Sequence, residues 1–308
     1  MVKDYDVVTI GHALIDIRFI VEHFAKPDEE SPILSQARGV GGSAANVAID
    51  VSRLGGRAGI IVKLGLDSFG RMIVDELMRE GVDVSGVRVC IDETGFTIVI
   101  INGDGKIIMY GFKGASEKLE PYDVDERFIA RAKYLHIASL RLDTSLRAAE
   151  LAKKSDTRVS WDPGRVLARR GIDYFKKLLE NTDIVLVNRL EAKHLTGLDD
   201  YREAARRIIE YGPSLVVVKK GAEGIYAYTS DGNEYELPAF HVDKVVDTTG
   251  AGDAFAAGLL LGLSRGYSLK KALVYGNAVA ALKVTRLGSH NVPGHSEVVQ
   301  YIWEHGLW

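Results

Sequence analysis

Asp247-Thr248-Thr249-Gly250-Ala251-Gly252-Asp253 runs directly into the apolar stretch 254–263. The stretch reads as a buried helix, and a helix start leaves backbone N–H groups without internal partners at the positive end of its dipole. Gly250 and Gly252 let that backbone approach a ligand with no Cβ in the way. The pattern is that of an anion hole with the Asp253 carboxylate beside it. Like charges repel, so a carboxylate next to a phosphate is ill suited to binding alone. It suits a base that takes the proton from a hydroxyl attacking phosphorus. A second reading gives Asp253 the ordinary duty of an acidic cap at a helix start. The seven residues alone leave both open.

Strands and helices alternate upstream of this segment. Strand patterns cover 134–138, 158–161, 184–187 and 215–219, with helical patterns at 144–154, 169–180 and 200–211. Such alternation gives a mostly parallel sheet covered on both faces, an α/β fold. A hairpin follows at 225–229 and 234–237, turning at Asp231-Gly232, and helices at 253–265, 268–284 and 295–304 close the chain. Towards the N-terminus, strand 5–10 ends at Gly11 and places Asp16 just past its carboxyl end, where open α/β sheets keep their ligands. Gly39 to Asn46 leads into a helix with Ala44, Val47, Ala48, Val51 and Leu54 on one face. Gly39, Gly41 and Ala44 lie too far from the first strand to be a dinucleotide fingerprint. Strand 59–64 and helix 69–79 come next. Runs 96–101 and 106–112 flank Asn102-Gly103-Asp104-Gly105, a hairpin signal foreign to a parallel sheet. With part of 12–38 it reads as a small β-lid, drawn from about 12–38 and 89–117, on a single domain spanning 1–308.

The 308 residues are 46% hydrophobic and 26% charged, with formal net charge −3. No basic tract is present, which argues against nucleic acid as a partner. The single cysteine, Cys90, excludes an intrachain disulfide framework, suits a reducing cytoplasm, and reads as a small apolar residue at a strand end. No apolar run approaches membrane-spanning length, and the N-terminus lacks a secretory pattern. The expectation is therefore a cytoplasmic protein. P-loop, Cys-x-x-Cys and His-Glu-x-x-His motifs are absent. His136 reads as a core histidine, and His290 and His295 are given no ligand role.

Polar groups gather where predicted strands end. Asp162-Pro163-Gly164-Arg165 follows one, Asn188 and Glu191 another, and Lys220-Gly221-Ala222-Glu223-Gly224 a third. Asn188 and Glu191 share a helical face and can hold water around phosphate-bound Mg²⁺, or can simply start a helix. Arg141 and Arg165 both follow strands on the ligand edge, and arginine grips phosphate bidentately.

These residues together resemble the ribokinase-like (PfkB) carbohydrate kinases over essentially the whole chain. The marks are Gly41-Gly42 with Asn46, Asn188-x-x-Glu191, and the signature 247–253. The resemblance implies a three-layer α/β/α fold with a β-lid that also serves as a homodimer surface. It implies Asp253 as general base and Gly250, Ala251 and Gly252 as anion hole. Asp16, Gly41, Gly42 and Asn46 would hold the sugar, with Arg165 reaching a phosphorylated one. Asn188, Lys220, Gly221, Gly224 and Asn277 would border the nucleotide, ATP or ADP, and Glu191 would hold Mg²⁺ through water. Asp247 and Thr249, with the turn Arg286-Leu287-Gly288, would form a loop for a monovalent cation such as K⁺. One departure stands out: members often carry threonine where this chain has Lys219. Within the family, His12-Ala13-Leu14-Ile15-Asp16, His136-Ile137-Ala138 and Asp162-Pro163-Gly164 look most like archaeal nucleoside kinases and ribose-1-phosphate kinases. That implies transfer to the 5-hydroxyl of a ribosyl group. A neutral nucleoside or ribose is the first expectation, an already phosphorylated sugar the alternative, and a non-catalytic sugar- or nucleotide-binding protein the reading of another class.

Overall fold

The computed structural model describes residues 3–104 and 106–308. Strands in the first half are β1 (Tyr5–Gly11), β2 (Leu14–Val21), β3 (Ile33–Gly41), β4 (Ala58–Ile61), β5 (Lys63–Gly65), β6 (Arg88–Cys90), β7 (Thr94–Ile101) and β8 (Ile107–Gly114). The second half adds β9 (Ala132–Ala138), β10 (Arg158–Asp162), β11 (Ile184–Asn188), β12 (Leu215–Lys219), β13 (Ile225–Thr229) and β14 (Glu234–Leu237). Helices α1 (Ser43–Arg53), α2 (Ser68–Arg79), α3 (Glu126–Ala130), α4 (Leu142–Lys154), α5 (Gly164–Ala168) and α6 (Lys176–Leu179) fall between them. The remaining helices are α7 (Arg189–Thr196), α8 (Tyr201–Ile209), α9 (Ala251–Ser264), α10 (Leu269–Val284) and α11 (His295–Glu304).

An eight-stranded sheet in the order β14-β13-β12-β11-β10-β9-β1-β4 forms the centre. It is parallel from β4 to β12 and turns antiparallel at the β12–β13–β14 edge. Side chains alternate across a strand, and two cores result. Ile184, Leu186, Leu215 and Val217 join α1, α9 and α10 on one face. Val185, Val187, Val216 and Val218 join α4 and α8 on the other. This two-sided burial is why the strands read as continuous apolar runs. β3, β2, β7 and β8 form a separate four-stranded sheet, with β2 and β7 parallel.

Two predicted elements change. The helix expected over 169–180 is shortened: α5 ends before it at Ala168, and the span itself holds a 3₁₀ turn at Ile172–Phe175 that runs into α6. Gly171, at φ 78, takes a left-handed conformation that stops a continuous helix. The strand expected over 59–64 divides into β4, in the main sheet, and β5, which pairs with β6 instead. His136 is a core histidine as read, with Nδ1 3.1 Å from Ser160 Oγ and its pKa lowered by burial to about 4. Cys90 ends β6. Among the described residues, no helix is long and apolar enough to cross a membrane.

Candidate active site

The carboxyl ends of β1, β9, β10, β11 and β12 and the starts of α1 and α9 meet at one edge of the main sheet. Gly250 caps α9 from a left-handed conformation (φ 78), and no side chain caps it. A Cβ on Gly250 would overlap the carbonyl of Ser289, so glycine is required twice over at this turn. Asp253 does not act as the cap. Its Oδ2 accepts a 2.7 Å hydrogen bond from Asn46 Nδ2 on α1. Burial, only partly offset by Asn46, pushes the Asp253 carboxyl up to about 6; Asp162 adds to the rise, while Lys219 and Ser43 oppose it. A carboxylate poised there has the proton affinity that general-base work requires.

Asp16 lies on β2 beside Gly41, where any Cβ would run into its carboxylate. Gly42 caps α1 at φ 93 and passes close to the His12 carbonyl. These glycines therefore let β2 and α1 close up around the site, besides baring backbone. Burial raises the Asp16 pKa, against the opposing charges of Arg18 and Lys113 and a hydrogen bond from Thr97. The four-stranded sheet brings a group that sequence reasoning missed: Lys113 Nζ on β8 stands 3.5 Å from His12 Nδ1, while Glu117 reaches His12 Nε2 at 3.4 Å. His290, left without a role above, lies 3.4 Å from Asn46 Oδ1.

At the other end, Asn188 and Glu191 form a reciprocal capping box. Asn188 Oδ1 accepts from Glu191 N (2.9 Å), and Glu191 Oε2 accepts from Asn188 N (2.8 Å). Glu191 is buried and senses Asp162 and Lys219, so helix start and site lining coincide in it. The two lysines of this region go opposite ways. Lys220 Nζ is paired with Glu236 Oε1 at 2.6 Å over the Tyr201 ring, so its charge is already met by a carboxylate. Lys219 Nζ bonds Asp162 Oδ2 at 2.7 Å and faces Gly252. Strand alternation held the signal: Lys219 continues the series Leu215, Val217, which faces α9. Gly221 and Gly224 have φ of 63 and 87 and shape the turn into β13. Asn277, buried on α10, donates to the Pro238 carbonyl at 2.7 Å. Arg165 is exposed on α5, and its charge reaches Glu191. Arg141 is tied to Asp143 by two hydrogen bonds of 2.7 and 2.6 Å.

The signature loop is fastened from behind. Asp247 Oδ1 accepts from Thr249 N (2.9 Å) and Oδ2 from Gly288 N (3.0 Å), tying the loop to the turn at 286–288. Lys283, fully buried on α10, donates to the Asp247 carbonyl at 2.7 Å.

The model of the pfkB family carbohydrate kinases matches residues 4–294. The chain belongs to this family. Curated relatives include an ATP-dependent ribose-1-phosphate kinase of Halopiger xanaduensis, 35% identical over 97% of this chain and 98% of that one. A 5-dehydro-2-deoxygluconokinase of Bacillus velezensis is 33% identical over 97% of this chain and 95% of its own length. Arabidopsis thaliana ribokinase, solved with ribose and ATP, superposes with TM-score 0.89 at 25% identity, covering 98% of this chain and 99% of that one. As a pfkB-family member the chain is a phosphotransferase acting on a sugar hydroxyl, which removes the non-catalytic reading. The ribokinase-like fold inferred from the resemblance stands as well.

Proposed function

We propose that this kinase transfers the terminal phosphoryl group of ATP to the 5-hydroxyl of a ribosyl acceptor that already carries an anion, ribose-1-phosphate first. The observation that carries this choice is Lys113, which the lid extends to within 3.5 Å of His12, where its charge acts on Asp16. An ammonium there offers a counter-charge to a phosphate on the sugar. The relatives' names support it, since one acts on a sugar phosphate and the other on a sugar acid. A neutral nucleoside or ribose is the second reading. It is favoured by Glu117 and Asp16, carboxylates beside Lys113 that suit hydroxyls and oppose phosphate.

In this reading Asp16 and Asn46 orient the acceptor so that one hydroxyl faces Asp253. The base accepts that proton as the new P–O bond forms, and the α9 N-terminus stabilises the charge in transit. Glu191, buried with Asp162 nearby, fits Mg²⁺ held through water on the nucleotide phosphates, the mode this ion prefers. When bound, Mg²⁺ would neutralise phosphate charge. A monovalent cation fits less well. Both Asp247 carboxylate oxygens and its carbonyl already accept hydrogen bonds, so K⁺ has no part in the proposal.

The test is a phosphorylation screen of ribose, ribose-1-phosphate and the common nucleosides, each with ATP and with ADP. We expect ribose-1-phosphate with ATP to give the highest kcat/KM, and Lys113→Ala to weaken that acceptor more than ribose. Preference for a nucleoside, unaffected by Lys113→Ala, would overturn the anionic acceptor.

A further inference from the structure

We propose that Lys219 is a catalytic residue of the phosphoryl transfer, its ammonium donating to the phosphoryl group in transit at the start of α9, and that Asp162 positions it. Lys219 ends β12 with its side chain towards α9, and Nζ lies 3.2 Å from the point where a Cβ on Gly252 would stand. The ammonium is thus set against the backbone of the anion hole. Asp162, at the end of β10, grips it at 2.7 Å and is itself fixed by Gly164 N on Oδ1 at 3.0 Å. The two side chains are only 15% and 17% exposed, so solvent screens their charges weakly. Glu191 and Asp253 also act on Lys219, which therefore sits among three carboxylates.

A purely structural role explains this poorly. A nearly buried ion pair contributes little stability compared with an apolar pair of similar volume. Placed at the reacting centre, the same pair has two uses. The ammonium offsets charge gathering on phosphoryl oxygens, and the grip of Asp162 keeps it from pairing with Asp253 and silencing the base. The acceptor oxygen attacks the γ-phosphorus of ATP, and the bond from that phosphorus to the β–γ bridging oxygen breaks. Its electron pair stays on the bridging oxygen of ADP, and the hydroxyl proton passes to Asp253. Lys219 stays protonated throughout and donates to the oxygens that gain charge. This rests on membership of the kinase family and not on which sugar is the acceptor.

The experiment compares wild type with Lys219→Met, Lys219→Arg and Asp162→Asn, using MgATP and ribose-1-phosphate, or the best sugar of the screen if wild type prefers another. We expect Lys219→Met to lower kcat by about 10²-fold, the order reported for loss of one transition-state donor, with acceptor KM unchanged. Its acid-side pH limb should move upward, because Lys219 favours ionised Asp253. Lys219→Arg should recover part of the rate, and Asp162→Asn should lower kcat and shift the same limb. Should Lys219→Met fail to fold, Lys219→Leu, which also lacks a donor, replaces it with the same expected outcome. A folded neutral variant with wild-type kcat and pH profile, or one altered only in acceptor KM, would overturn the proposal.

Discussion

At the residue scale, the proposed mechanism turns on how a half-buried carboxylate is kept both basic and available. Burial, with a smaller push from Asp162, raises the Asp253 pKa, and Asn46 limits the rise by donating to the ionised form. Because the base works only when deprotonated, activity must fall as pH drops through its pKa. We expect kcat of the wild type to show an acid limb near pH 6, the value to which this carboxyl is shifted. Asn46→Ala removes a hydrogen bond that favours the carboxylate, so the limb should move to higher pH. Profiles of log kcat against pH for the two proteins check this, and a limb that stays in place or moves down would count against the role of Asn46.

At the scale of elements, the proposed anion hole depends on how α9 begins. The left-handed Gly250 turns the chain into the helix directly under the Ser289 carbonyl. Gly250→Ala meets two penalties, the left-handed backbone and the overlap, and strain of this kind costs on the order of 1–3 kcal/mol. We expect a lowered Tm together with loss of turnover, read by calorimetry and by kinetics; unchanged Tm and kcat would show that the turn tolerates a Cβ. The elements also show what sequence could and could not convey. Apolar runs at 184–187 and 215–219 and the glycines of the signature made the parallel sheet and the tight start of α9 legible, because period and backbone freedom are local properties. The break at Gly171 was missed because the apolar pattern of 169–180 outweighed one glycine. Lys113 and His290 were missed because only long-range folding brings β8 and the loop after α10 to the site. Lys219 was within reach, since its parity on β12 was readable, but it stood only as a departure from a family pattern.

At the scale of the whole molecule, the lid has one face towards the site and carries many exposed apolar residues, among them Ile33, Leu34, Ile107, Met109 and Tyr110. Open apolar sheet of this kind marks an interaction surface, and we propose that a second copy of the chain covers it. A dimer would also steady Lys113 over the acceptor. Light scattering should give a dimer for the wild type and a monomer for the double variant Ile107→Lys, Met109→Lys, with acceptor KM raised in the variant. A monomeric wild type would refute the lid interface without touching the chemistry.

The most direct measurement is single-turnover phosphoryl transfer by Asp253→Asn at saturating MgATP and acceptor, with binding of each followed separately by calorimetry. We expect the transfer rate to fall by about 10²-fold or more while both affinities stay close to wild type. Transfer at a near-normal rate would show that another group removes the proton and would contradict the base role of Asp253.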